Sequence, residues 1–329
     1  MKRNIALGLV GLSLIWVPAA FSMEALIERQ KEDKTLPIVF LHGLSQKGSD
    51  MNNSVELLQQ MVPGTKIFTP DLEDQGFLPC DIVTRHAANT LNAIPELKDG
   101  FNLIGYSLGG LIARSVVESG LLKSRVYSLE TLGSPHRGVC GIIYAWDDKI
   151  DEAFQKLCKC NPFARLEKKV YKVAYNQDLQ NSSCAANLWD DPSKQEEYRK
   201  NNLFLPLLNN ETPHKNEACF KHNLTTLSVL LALAAKKDTT LEPWQSGMFD
   251  YVTKDFKTYE HLKETDMYVD LGLKELDDHN RLLRIPLKGQ DHSTIRIDKK
   301  VYIEHIVPNL IRRSKVEDDT GKDFYEELQ

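Results

Sequence analysis

A chain of 329 residues with 42% hydrophobic and 26% charged residues has room for one large or two medium globular domains, and its composition is neither fibrous nor disordered. A formal net charge of −5 excludes a protein that binds nucleic acid by electrostatics. The N-terminus reads Met1-Lys2-Arg3, a mainly apolar run from Ile5 to Val17, then small residues at Ala20 and Ser22. That pattern predicts a cleaved export signal over residues 1–22. A membrane anchor is the alternative, but the run is shorter than the roughly 20 residues a spanning helix needs. The mature chain is therefore expected without a transmembrane segment, secreted or periplasmic in a bacterium and lysosomal or lumenal in a eukaryote.

Residues 24–35 read as an exposed charged arm. Pro37-Ile38-Val39-Phe40-Leu41 is a continuous apolar run, as in a strand covered on both faces. Met51, Val55, Leu58 and Met61 have helical spacing, and Pro63-Gly64 closes that helix. Lys66–Thr69 follows as a strand, and Ile82, Ala87, Leu91 and Ile94 as a helix. Next comes Phe101–Gly105, then Tyr106-Ser107-Leu108-Gly109-Gly110, then a helical pattern over 111–117 and a strand over Val126–Leu132. Strands alternating with helices imply a parallel sheet with helices on both faces.

After Gly133-Ser134-Pro135-His136 the alternation stops, and residues 138–222 read as an insertion rather than a second domain. Helical spacing shows around 149–157 and 164–175. The run Thr226–Ala232 suits a buried strand, although its length also allows a helix. Arg281–Leu287 reads as the last strand and 299–313 as the last helix; the acidic tail 314–329 lacks periodicity and reads as disordered. Residues 35–313 would thus form one domain. The six cysteines make disulfides expected in an exported chain, with pairing open; Cys158-Lys159-Cys160 lacks the nearby histidines of a zinc site. Asn52, Asn181, Asn210 and Asn223 head glycosylation sequons, meaningful only in a source that glycosylates.

Gly105-Tyr106-Ser107-Leu108-Gly109 between a strand and a helix is the arrangement that exposes a serine on a sharp turn, where its hydroxyl can attack an acyl carbon. Such a serine needs a base and an acid, which this topology delivers later in the chain at strand ends, in the order Ser, acid, His. His292 directly follows the last strand and is the expected base. His136 comes too early in the chain for that role but would line the site, while His42 belongs with Gly43 in a structural turn. Asp238 ends the strand pattern that starts near 226 and is the expected acid, with Asp266 as the alternative. The backbone amides of Leu44 and Leu108, one after the first core strand and one after the nucleophile, would hold the oxyanion.

These residues resemble the palmitoyl-protein thioesterase family of α/β-hydrolases. The resemblance rests on Val39–Leu44, Gly105–Gly110, Leu188-Trp189-Asp190-Asp191-Pro192, Asn202–Glu211, Asp238, Pro243-Trp244-Gln245-Ser246, Leu271–Lys274 and the His292 loop. It implies an α/β-hydrolase fold, a doubly wound and mostly parallel sheet with a helical insertion over the active site. It also implies an acyl-thioester hydrolase acting through Ser107, Asp238 and His292, on acyl-CoA or S-acylated protein, as a monomer without metal or cofactor. The Pro-Trp-Gln-Ser stretch is similar to the branch that prefers acyl-thioesters other than palmitoylated proteins. Leu108 stands where the family usually has glutamine, and the family's cysteine pairs do not map cleanly. Gly133–Gly138 resembles a segment of bacterial triacylglycerol lipases, so an oxygen-ester lipase is the alternative; a non-catalytic binding protein on the same fold is a third reading.

Overall fold

The computed structural model describes residues 35–72, 77–140 and 173–312. The export signal (1–22), the acidic tail (314–329), Cys158, Cys160 and the helical spacing at 149–157 and 164–172 lie outside them. Six strands form one sheet in the order β2-β1-β3-β4-β5-β8: β1 is Ile38–Leu41, β2 Ile67–Phe68, β3 Phe101–Tyr106, β4 Val126–Leu132, β5 Val229–Ala235 and β8 Leu282–Leu287. All five pairings are parallel, so the sheet must bury both faces. One face packs Leu103, Leu129 and Leu230 against the helices Cys80–Asn92 and Leu108–Ser119, and the other packs Phe40, Ile104, Leu132 and Leu231 against Leu58, Tyr302 and Ile306.

The apolar run near 226 is a strand, but it starts at Val229, because Thr226 caps the helix Glu217–Thr225 and residues 226–228 form the turn out of it. The last predicted helix is the clearest departure. Only Lys299–Val301 is α-helical; a π turn over Tyr302–Ile306 and a 3-10 turn over Val307–Asn309 follow. Pro308 explains the change, since it has no N–H to donate to Glu304 and its ring collides with that carbonyl in an α-helix. A second unpredicted feature is the small antiparallel pair β6 (Tyr251–Val252) and β7 (Tyr259–Glu260).

The described part of the insertion, 173–222, is mostly short helices tied down by polar groups. Asn202 donates to the carbonyls of Asn187 and Trp189, both at 3.0 Å, and accepts from the amides of Phe204 and Leu205. A disulfide joins Cys184 to Cys80 at the start of the helix Cys80–Asn92, giving Cys184 a partner that sequence reading did not find.

Candidate active site

Ser107 occupies a left-handed backbone position, φ 54° and ψ −127°, between the end of β3 and the helix that begins at Leu108. An L-residue adopts this region only when its surroundings enforce it. Here they do: a Cβ on Gly105 would stand 2.4 Å from Gly110 Cα, and one on Gly109 2.3 Å from the carbonyl oxygen of His42. The two glycines let strand, helix and first core loop approach that closely, and the Ser107 amide is held by the Leu132 carbonyl at 2.9 Å.

The turn brings Ser107 Oγ to 3.0 Å from His292 Nε2, and His292 Nδ1 lies 2.6 Å from Asp238 Oδ2. A carboxylate can only accept, so Nδ1 carries the proton and Nε2 accepts from the serine hydroxyl. Asp238 is anchored in turn, its other oxygen accepting from the amides of Thr240 at 2.9 Å and Leu241 at 2.7 Å. The Asp238 side chain is fully buried and that of His292 is 13% exposed, so the acid is shielded while the imidazole reaches the surface. Asp266 instead precedes the short helix Met267–Asp270, and Asp238 is the carboxylate that meets His292. Of the other histidines later in the chain, His222, His261 and His279 are exposed, and His214 packs on Phe220 within the insertion.

The loop after β1 lies over Ser107: a Cβ on Gly43 would sit 3.1 Å from that of the serine. Gln46 shapes this loop by accepting from the Gly43 amide at 3.0 Å, a role that no motif announced. Leu108 opens its helix, so its amide has no carbonyl four residues back within the helix to bond, and the positive end of the helix dipole points at the same spot. Sequence reading also missed the support of the imidazole. The Tyr106 ring lies 5.1 Å from the His292 ring, and the Arg296 guanidinium lies 5.4 Å from the same Tyr106 ring. Burial pushes the Tyr106 phenol up to about 12, so it packs as a neutral ring.

The two early histidines have packing tasks. His42 Nδ1 bonds the Gly43 carbonyl at 2.9 Å while Nε2 accepts from the Leu72 amide at 2.8 Å, and burial lowers its pKa. His136 was expected to line the site. It is instead wholly buried, stacked at 4.1 Å on Phe249 and bonded to the Thr131 hydroxyl at 2.9 Å. Burial and the neighbouring Arg114 hold it well below the usual histidine range.

A polar seam runs behind the site. Arg114 of the helix that follows Ser107 pairs with Glu118 at 3.1 Å and donates to Asn209 Oδ1 at 2.6 Å; Asn209 donates to Glu211 at 3.2 Å. Glu211 lies 3.6 Å from Arg137, whose far nitrogen meets Glu260 at 3.3 Å. Beside them the buried Asp190 accepts from Gln195 at 2.5 Å, and burial, reinforced by Glu211, raises its pKa to about 8. The Arg137 amide donates to Ser246 Oγ at 3.0 Å. Asp190, Asn209 and Ser246, which lie in the stretches that carry the family resemblance, are thus joints between insertion and sheet. Among the described residues no group of three or more His, Cys, Asp and Glu side chains could hold a metal ion.

Residues 37–292 match the family described as palmitoyl protein thioesterase. The chain is 28% identical over 294 residues to palmitoyl-protein thioesterase 1 of Caenorhabditis elegans, covering 85% of this chain and 93% of that protein. It is 26% identical over 279 residues to the lysosomal thioesterase PPT2 homolog of Drosophila melanogaster, with 83% and 91% covered. With palmitoyl-protein thioesterase 3 of Dictyostelium discoideum it shares 28% identity over 258 residues, with 75% and 82% covered.

Proposed function

The chain belongs to the palmitoyl protein thioesterase family, thioester hydrolases with the α/β-hydrolase fold, and on that premise we propose that Ser107, His292 and Asp238 are its catalytic triad. The observation that supports this most is one imidazole bonded on both sides, to Asp238 at 2.6 Å and to Ser107 at 3.0 Å. In this reading Ser107 Oγ attacks the thioester carbonyl as His292 Nε2 takes its proton, and Asp238 stabilises the imidazolium. The oxyanion forms between the Leu44 and Leu108 amides. The carbon–sulfur bond then breaks, the leaving sulfur receives the proton from His292, and the acyl group remains on Ser107. Water, deprotonated by His292, opens the acyl-serine; the carboxylic acid leaves and Ser107 regains its proton. A thiol with an ordinary pKa of about 8.5 leaves far more readily than an alkoxide, so the arrangement suffices without a metal.

The substrate is an acyl-thioester, acyl-CoA or S-acylated protein, hydrolysed by a monomer in a lumenal or extracellular compartment reached through the signal at 1–22. The described residues within 35–312 belong to a single domain, and the part of the insertion at 173–222 contributes to the acyl groove. Similarity to the lysosomal thioesterase PPT2 homolog and the Pro243–Ser246 stretch favour thioesters other than palmitoylated proteins. The oxygen-ester lipase reading raised by the segment 133–138 would use the same triad, so substrate preference separates the two. Rates on an acyl-CoA chain-length series beside matched oxygen esters test the reading. Ser107→Ala should abolish turnover and fluorophosphonate labelling, and Asp238→Asn should cut kcat by about 10⁴-fold by inverting the imidazole tautomer. Full activity in Ser107→Ala, or faster cleavage of every oxygen ester than of its thioester, would defeat it.

A further inference from the structure

The β6–β7 hairpin stands outside the main sheet, and none of its residues takes part in the chemistry above. Its base is fixed. Tyr251 and Val252 are buried, the Tyr251 hydroxyl donates to the Asp190 carbonyl at 2.6 Å, and Glu260 pairs with Arg137. Its turn is fixed as well, since Asp255 Oδ1 accepts from the amides of Lys257 at 2.8 Å and Thr258 at 2.9 Å and from the Thr253 hydroxyl at 2.9 Å. The Thr253 amide closes the turn on the Thr258 carbonyl at 2.9 Å.

This rigid turn presents Lys254, Phe256, Lys257 and Tyr259 to the outside. Phe256 is 47% exposed and Tyr259 39%. Phe256 also sits in the left-handed region, φ 57°, which a bulky side chain rarely occupies. Neither lysine has a carboxylate within ion-pair distance among the described residues, whereas the Asp255 carboxylate is turned onto the donors of its own turn. The tip therefore offers one large apolar ring, one amphipathic ring and two free cations.

We propose that this hairpin docks the enzyme on an anionic lipid surface, with Phe256 entering the boundary between headgroups and acyl chains, Tyr259 at headgroup level, and Lys254 and Lys257 on lipid anions. A tip of four side chains is far too small for a specific protein interface of about 800 Å² per partner. A bilayer needs only a few aromatic and basic side chains, and the pairing of apolar ring with cations matches its two layers. The hairpin is also tied to the active-site end of the sheet. Glu260 holds Arg137, four residues past Gly133, where a Cβ would stand 3.4 Å from His292 Nδ1. Docking would hold that end of the enzyme near acyl groups that reside in a membrane.

The test is cosedimentation of the full chain with phosphatidylcholine vesicles, with and without phosphatidylserine, beside hydrolysis of a soluble short-chain acyl-CoA. The wild type is expected on the anionic vesicles, less so as salt rises. Phe256→Ala should weaken that binding about tenfold, and the double variant Lys254→Ala/Lys257→Ala should do so by a similar factor. Soluble-substrate turnover should stay unchanged in both. In Phe256→Trp, adding anionic vesicles should shift the emission of the new indole to the blue. Wild type that binds anionic vesicles no better than neutral ones, or variants that bind as well as wild type, would overturn the proposal. A Phe256-dependent dimer in the absence of lipid would overturn it in favour of a second copy of the chain.

Discussion

The triad and the polar seam behind it are built on opposite terms. Ser107, His292 and Asp238 come from the ends of three different strands and touch one another through two hydrogen bonds. The seam from Glu118 through Arg114, Asn209, Glu211 and Arg137 to Glu260 joins the nucleophile's helix, the insertion and the β6–β7 hairpin. Chemistry in the first region depends on geometry at three atoms, so its residues contribute little to stability and Ser107 detracts from it. The second holds the insertion over the sheet, and its charges are tolerable only because each faces a partner. Activity and stability should therefore separate along this division.

The largest effect tests that separation directly. Ser107→Gly should lower hydrolysis of an acyl-CoA by about 10⁶-fold and yet raise the melting temperature, because relief of the left-handed backbone is worth about 1 kcal/mol. A lower melting temperature would mean that the turn is not strained by its side chain. On the other side, Arg137→Ala leaves Glu211 without its cation, and a denaturant titration should show a loss of about 3 kcal/mol. The folded fraction, assayed well below its melting temperature, should keep near-normal turnover.

A pH series sharpens the same contrast. Burial raises Asp190 to about 8 from an ordinary 3.8, and raises Glu118 to about 8 from 4.5, with Arg114 only partly offsetting it. In that window the folded chain keeps protons that the unfolded chain releases, so stability is greatest at the acidic end and falls as pH climbs towards 8. Melting temperatures from pH 5 to pH 8 should decline, and Asp190→Asn should flatten the slope. Melting that rises with pH would show that these carboxyls are ionised in the fold. The smallest effect belongs to Ser246→Ala, which removes the acceptor of the Arg137 amide and should cost about 1 kcal/mol without changing turnover.

Much of the fold could be read along the chain because parallel strands buried on both faces are continuous apolar runs, as Ile38–Leu41 and Val126–Leu132 are. The final helix could not, since Pro308 acts only through where it falls against the carbonyls before it. His136 shows the limit most clearly. Its place after a strand suggested the site, whereas its surroundings of Thr131, Arg114 and Phe249 come from two other elements as well as its own strand. The hairpin tip was equally silent, for nothing local distinguishes Phe256 from a core phenylalanine.

By itself the sequence determined the strand–turn–helix around Ser107 and the placing of Asp238 and His292 after later strands, because glycine spacing and hydrophobic period act within a few residues. The tertiary structure decided that Asp238 rather than Asp266 meets His292, that Cys184 bonds Cys80, and that Asp190, Asn209 and Ser246 join distant segments. Those outcomes hang on contacts across 54 to 109 residues of chain, and only closure of the sheet and insertion brings such distant groups within a few ångströms.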